Sequence, residues 1–168
     1  MAIKILGVDP GSQITGFGVI SWESGEMKSI EHGVFDLRKN ELFVERLAEL
    51  SRQLRATLQK HQPQIVVIEN IFLGKNTQSA FKLGHARGVI MAEAALNGCQ
   101  VYEYATRLVK KGVTGTGAAE KDHVRQVLQV LLNLRNINPI DASDALAMAY
   151  FHGLEMQKEK LMDRMTET

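Results

Sequence analysis

Two short apolar runs, each ending in a carboxylate, constrain this chain more than any other feature. Ile3-Lys4-Ile5-Leu6-Gly7-Val8 is followed by Asp9, and Ile65-Val66-Val67-Ile68 is followed by Glu69. Short runs of this kind, rich in β-branched residues, are the pattern of strands buried on both faces. A charge at the end of such a strand is costly unless something pairs with it. A second pair of acids, Asp141 and Asp144, lies three residues apart at the start of a small-residue helix. Three or four carboxylates brought together repel one another and raise their own pKa values. A divalent cation removes that penalty, and hard oxygen ligands suit Mg²⁺ or Mn²⁺ rather than Zn²⁺.

The remaining periodicity builds a mixed α/β domain around those runs. Residues 3–9 read as a first strand. Gly11, Gly16 and Gly18 allow a tight turn into a second, over about 14–22, and Ser24-Gly25 leads into a third, over about 27–35. Strands joined by such short turns pair antiparallel. Phe43, Leu47, Leu50, Leu54 and Leu58 keep helical spacing and predict a helix over about 41–60. After Pro63 comes a strand over 64–69. Asn76 is placed to cap a helix over about 77–96, which Asn97-Gly98 ends. A strand over about 100–104, a flexible Thr114–Gly117 loop, a helix over about 118–134 and a last helix from about 141 complete the order. Strands 1 and 4 are expected to be neighbours, which would bring Asp9 and Glu69 together. The division expected is a domain over 1–154 and a C-terminal tail over 155–168.

Composition excludes several classes. A chain of 168 residues with 45% hydrophobic and 23% charged residues has enough apolar surface for one core and is not disordered. The single cysteine, Cys99, can form neither an internal disulfide nor a cysteine-based zinc site and reads as a reduced, buried thiol. No apolar stretch reaches the roughly 18 residues of a membrane span, and the N-terminus lacks the pattern of a signal peptide. A cytoplasmic protein with no membrane partner is expected. The net charge of +1 hides an uneven spread: −1 over 1–69, +4 over 70–125 and −2 over 126–168. An acidic pocket inside a basic rim would suit a phosphate backbone; an ordinary solvated surface would look the same.

Each acidic motif has a plain reading beside the chemical one. Asp9 before Pro10-Gly11-Ser12 is either a turn residue capping nearby amides or a metal-bridging carboxylate, with glycines that let a phosphate approach. Asp-x-Gly after a first strand also serves nucleotide phosphate in actin-fold ATPases and sugar kinases. Glu69 alone could mark where a strand meets solvent. Asp141 could be only an N-cap, yet i and i+3 share a helix face and can aim two carboxylates one way, while the alanines between them let the helix lie close to a sheet. The Thr114–Gly117 loop lacks a following Gly-Lys-Ser/Thr and is no P-loop. Tyr102, Tyr104 and the five histidines show no nucleophile or zinc spacing.

Taken together, the segments resemble the RNase H-like nucleases, and more closely the RuvC family of Holliday-junction resolvases. The resemblance runs from Ile5 to about His152. It rests on Leu6-Gly7-Val8-Asp9-Pro10-Gly11-Ser12, Thr15-Gly16-Phe17-Gly18-Val19-Ile20, Ile68-Glu69-Asn70-Ile71-Phe72, Lys75-Asn76, Lys82-Leu83-Gly84, Ala86-Arg87-Gly88, Ala118-Ala119-Glu120-Lys121 and Asp141-Ala142-Ser143-Asp144-Ala145-Leu146-Ala147. It implies an RNase H-like fold, with a five-stranded mixed sheet, three antiparallel strands followed by parallel additions, and helices on both faces. It implies that Asp9, Glu69, Asp141 and Asp144 are metal-binding catalytic acids. It also implies that Phe72 meets bases at the junction centre, that Lys110 and Lys121 lie near the scissile phosphate, and that Lys75, Lys82 and Arg87 add DNA contacts. The Thr114–Gly117 loop then reads as a mobile loop beside the substrate.

The activity implied is metal-dependent endonucleolytic resolution of four-way DNA junctions in recombination and repair. Two Mg²⁺ ions roughly 3.5–4 Å apart would share Asp9, with Mn²⁺ able to substitute. A homodimer cutting two opposed strands and working with the RuvA–RuvB branch-migration machinery is the implied assembly. Three rivals stand beside this reading. An actin-fold ATPase needs a second half-domain with its own phosphate loop. An RNA hydrolase of the same superfamily would not need Phe72 or dimeric symmetry. A non-catalytic junction binder would have lost its carboxylates.

Overall fold

A computed structural model of the chain describes residues 1–70 and 77–166. Five strands and five helices follow in the order β1 (Ile3–Asp9), β2 (Ile14–Glu23), β3 (Glu26–Asp36), α1 (Phe43–His61), β4 (Ile65–Asn70), α2 (Thr77–Leu96), β5 (Gln100–Ala105), α3 (Thr106–Thr114), α4 (Lys121–Leu131) and α5 (Ile140–Thr166). The strands form one sheet in the order β3-β2-β1-β4-β5. β1 pairs antiparallel with β2 and β2 with β3, whereas β1–β4 and β4–β5 are parallel. This is the mixed RNase H-like sheet expected from the sequence. Ser24 and Gly25 both take positive φ in the β2–β3 turn, the twist-matched geometry of a two-residue hairpin.

Side-chain alternation along the strands divides the core into two layers. Leu6, Val8, Val19, Val66 and Ile68 meet Leu50, Leu54 and Leu58 of α1 and Ala86, Ile90 and Ala94 of α2. Ile5, Ile20, Ile65 and Val67 point the other way, against α3, α4 and α5. Asp9 and Glu69 continue this second alternation by one step, so both carboxylates leave the sheet on the side of those three helices.

How α5 reaches the sheet decides where its acids lie. A β-carbon on Gly7 would come within 2.0 Å of the Ala145 carbonyl oxygen. One on Gly16 would meet the Asp141 carbonyl oxygen at 2.1 Å, and one on Gly18 the Leu146 side chain at 2.6 Å. The first turns of α5 therefore rest on bare backbone of β1 and β2. Ala142, Ala145 and Ala149, all fully buried, supply the matching small face on the helix. These strand glycines serve helix packing, where Gly16 and Gly18 were expected to serve a turn. The β1–β2 turn is closed instead by buried Thr15, whose hydroxyl accepts from the Gly11 N–H (3.2 Å) and donates to the Gly11 carbonyl (3.1 Å).

Two elements differ from the sequence reading. Residues 106–114 form α3, a helix the periodicity of a nine-residue segment leaves unmarked; its apolar face is carried by Val109 and Val113. The following helix is shorter than expected, beginning at Lys121 and ending at Leu131. Thr114 closes α3. Its hydroxyl donates to the Thr116 carbonyl (3.0 Å) and accepts from the Thr116 N–H (3.3 Å), so the Thr114–Gly117 loop is a hydrogen-bonded turn. The expected cap Asn76 lies outside the described residues. α5 runs without a break through residue 154, and Gln157 and Lys160 meet Gly25 and Trp22 at the β2–β3 hairpin.

Gly7→Ala should destabilise the fold by about 3 kcal/mol or more, at or beyond the usual overpacking range, because backbone on both sides must move. Gly84→Ala, in α2 with nothing within 4 Å of its added methyl, should be neutral or stabilise by up to about 1 kcal/mol. Denaturant unfolding of the two variants checks the contrast.

Candidate metal centre

Strand pairing assembles the first half of the site. Val8 stands opposite Ile68 in the parallel β1–β4 pair, so the next residues, Asp9 and Glu69, emerge side by side. Helix packing assembles the second half. Asp141 and Asp144 stand in the first two turns of α5, above Gly16, which is the cross-strand partner of Asp9. One carboxylate oxygen from each of Asp9, Asp141 and Asp144 lies within 4.8 Å of the others. Glu69 shares a pocket with Asp9 and Asp144, along with Thr106, Lys110 and Lys121.

The electrostatics are those of a site built for positive charge. The Asp9 carboxyl is pushed up to about 8, first by burial and then by the charges of Glu69 and Asp144, with Lys121 pulling the other way. Burial also raises Asp144; Lys121 opposes the shift, while Glu69 and Asp141 add to it. Without a cation, burial and the neighbouring acids favour the protonated form of Asp9, with Glu69 beside it to share the proton. Lys121 is the partial counter-charge, its Nζ 2.6 Å from Asp144 Oδ2. Burial works against the Lys121 charge, but the hydrogen bond to Asp144 and the charges of Asp144, Asp9 and Asp141 outweigh it and raise its pKa. Lys121 is also the first residue of α4, where the helix dipole disfavours a cation. Its place is therefore set by the acids and not by helix stability.

Donor chemistry fits a hard divalent ion. All four side chains offer carboxylate oxygen, and half-buried acids held this close gain from metal charge what they lose to one another. Asp9, Asp141 and Asp144 could hold one ion, and Glu69 could complete a shell shared with Asp9.

The other residues singled out from the sequence are more scattered. Lys110, on α3, lines the pocket. Exposed Lys82, on α2, lies over the Phe43 ring at 5.9 Å and is away from the acids. Arg87 turns inward, donating to the Glu69 carbonyl and the Glu103 carboxylate, and burial lowers its pKa. Phe72 and Lys75 lie outside the described residues. The sequence reading missed Thr106, whose hydroxyl donates to Glu69 Oε1. Its signal was position: Tyr104 pairs with Glu69 across β4–β5, so a residue two steps on sits beside that carboxylate.

Comparison with known proteins gives a consistent result. The family model described as "Crossover junction endodeoxyribonuclease RuvC" matches residues 5–152. The crossover junction endodeoxyribonuclease RuvC of Bdellovibrio bacteriovorus is 57% identical over 164 residues, covering 98% of both chains. That of Geotalea uraniireducens is 42% identical, covering 99% of both. The Thermus thermophilus RuvC structure superposes with a TM-score of 0.84 at 27% identity, covering 94% of this chain and 97% of that one. T. thermophilus RuvC in complex with Holliday junction substrate superposes at 0.82 and 25% identity, over 93% and 96% of the two chains. The chain belongs to the RuvC family of crossover junction endodeoxyribonucleases.

The Asp9 shift has a sign that can be tested without metal. Its folded-state pKa of about 8 exceeds the ordinary value of 3.8. Between those values the folded protein keeps a proton that the unfolded chain has released, so stability falls as pH rises from about 4 to about 8. Asp9→Asn removes that loss. In chelator, the stability advantage of the variant over the wild type should grow by at least about 1.4 kcal/mol between pH 5 and pH 8.5, the equivalent of one pKa unit. Parallel pH profiles of thermal stability would contradict the shift.

Proposed function

We propose that this RuvC-family protein resolves four-way DNA junctions through Asp9, Glu69, Asp141 and Asp144, holding two Mg²⁺ ions that Mn²⁺ can replace. The convergence of three carboxylates on one point, at the end of a sheet in a family of junction endonucleases, carries the proposal. Asp9 is the residue central enough to contact both ions, with Glu69 on one side and the α5 pair on the other. When bound, the ions would supply an activated water for in-line attack and charge stabilisation of the leaving 3′ oxygen. The chain's own part is to orient and to neutralise. The four carboxylates fix the site against rigid strand ends and a packed helix. Lys110 and Lys121 stand at the same pocket and would bind the non-bridging phosphate oxygens. Lys121 would exchange Asp144 for phosphate as the ions take up the acids' charge. The products would be a 5′ phosphate and a ligatable 3′ hydroxyl.

The basic segment supports a DNA face around the pocket. Within the segment over residues 70–125, with its net +4, Arg107, Lys110 and Lys111 on α3 and Lys121 and Arg125 on α4 belong to the helices on the pocket's side of the sheet. Lys75, Lys82, Arg87 and Phe72 are proposed DNA contacts on the strength of the family motifs alone, and the inward pairing of Arg87 weighs against it as a phosphate ligand in this state.

Paired nicking requires two sites related by symmetry, and a homodimer is the economical arrangement. Gly84 and Gly88 on α2 face open space, and Phe81 on the same helix is 70% exposed. With Leu47, Ala80 and Val89 they line an apolar groove between α1 and α2 that a second copy would fill. RuvA–RuvB are proposed partners and the cytoplasm the proposed location, both from family membership. Among the described residues no helix is long and apolar enough to cross a membrane. Residues 1–154 are the proposed nuclease domain and 155–168 its C-terminal tail.

Asp9→Asn should reduce cleavage of a synthetic four-way junction in Mg²⁺ at least about a thousandfold while leaving junction affinity in chelator intact. Cutting at a near wild-type rate would sink the assignment. Lys110→Ala should flatten the slope of log affinity against log salt by about one unit; an unchanged slope would place Lys110 off the DNA. Gly84→Leu should shift sedimentation toward monomer, and a folded dimeric variant would move the interface elsewhere.

A further inference from the structure

Glu69 is held from both faces of the sheet. On the α2 side, Arg87 donates to the Glu69 backbone carbonyl and is itself anchored by Glu103, the residue paired with Ile68 across β4–β5. That contact fixes the main chain at the strand end and leaves the side chain free to choose a rotamer. On the α3 side, the Thr106 hydroxyl donates to Glu69 Oε1. Thr106 is the first residue of α3, directly after β5, so its backbone is fixed by a strand on one side and by a helix seated through Val109 and Val113 on the other. One turn on, Lys110 faces the same pocket.

We propose that Thr106 is a positioning residue for the metal centre: its hydroxyl occupies one oxygen of Glu69 and so presents the other toward Asp9. The inference rests on the reading of Glu69 as a metal ligand. A carboxylate with one oxygen bonded to a fixed donor has fewer orientations to lose when it takes up a cation, and such supporting partners change metal affinity about 10–100-fold when removed. Lys110 adds positive charge to the same side of the pocket, yet it lines the pocket as a long, flexible side chain, whereas the Thr106 hydroxyl has one rotatable bond.

Thr106→Val keeps the shape and removes the hydroxyl; Thr106→Ser keeps the hydroxyl and removes the methyl. Mn²⁺ binding by calorimetry, without DNA, reads the proposal directly. Thr106→Val should bind Mn²⁺ about tenfold more weakly and need about tenfold more Mg²⁺ for half-maximal junction cutting, at the lower end of that range. Its cleavage at saturating Mg²⁺, junction affinity in chelator and melting temperature should stay near wild type. Thr106→Ser should restore wild-type metal binding. Should Thr106→Val melt early, Thr106→Ala replaces it in the same comparison. Metal affinity and Mg²⁺ requirement within twofold of wild type would overturn the proposal, provided that Glu69→Gln in the same assays loses both. If Glu69→Gln itself binds metal and cuts normally, the ligand reading fails, and the proposal with it.

Discussion

The seating of α5 on the bare backbone of β1 and β2 is the contact on which the site depends. Gly7, Gly16 and Gly18 remove the side chains that would hold a helix off the sheet, and the α5 alanines remove them from the other partner. Two helix carboxylates are thereby lowered onto a strand carboxylate, within reach of a single ion. A helix held off the sheet by side chains at those positions would carry Asp141 and Asp144 away from Asp9. Glycine inside a strand weakens it through entropy and lost packing, and here that cost is offset by the close fit and explained by the geometry it permits.

Bringing the acids together has an electrostatic cost that the fold meets in two ways. Asp9 is pushed toward its protonated form, and Lys121 lends its charge to Asp144. Both are provisional partners. A divalent cation would displace the proton, and a phosphate would claim the lysine, so the arrangement without metal would hold in reserve the charges the proposed reaction uses. The supports around Glu69 have the opposite character. Arg87 and Thr106 fix the main chain and the side chain of one residue from opposite faces and contribute rigidity where the acids contribute charge.

Much of this was legible in the sequence because the strongest signals were local. The β1 and β4 runs announced two buried strands, and their terminal acids followed. Asp141 and Asp144 were placed on one face by helical spacing alone. The close approach of α5 was half legible: the alanines suggested it, but Gly16 and Gly18 looked like turn residues, since sequence does not say which element lies across a strand. α3 was missed because nine residues offer only two apolar turns, and Val109 and Val113 are too few to set a period. Thr106 was lost with it. Arg87 matched a family motif, yet its inward pairing depends on β5 lying next to β4, which no local pattern reveals.

The central claim is that four carboxylates at the meeting of β1, β4 and α5 form one divalent-metal centre. Crystals of the protein soaked in Mn²⁺ and measured for anomalous scattering test it most directly. The account predicts anomalous density touching Asp9 together with Glu69 or the Asp141/Asp144 pair, and its disappearance in Asp9→Asn. Density confined to other sites, with the four acids unaltered and unoccupied at millimolar Mn²⁺, would contradict it.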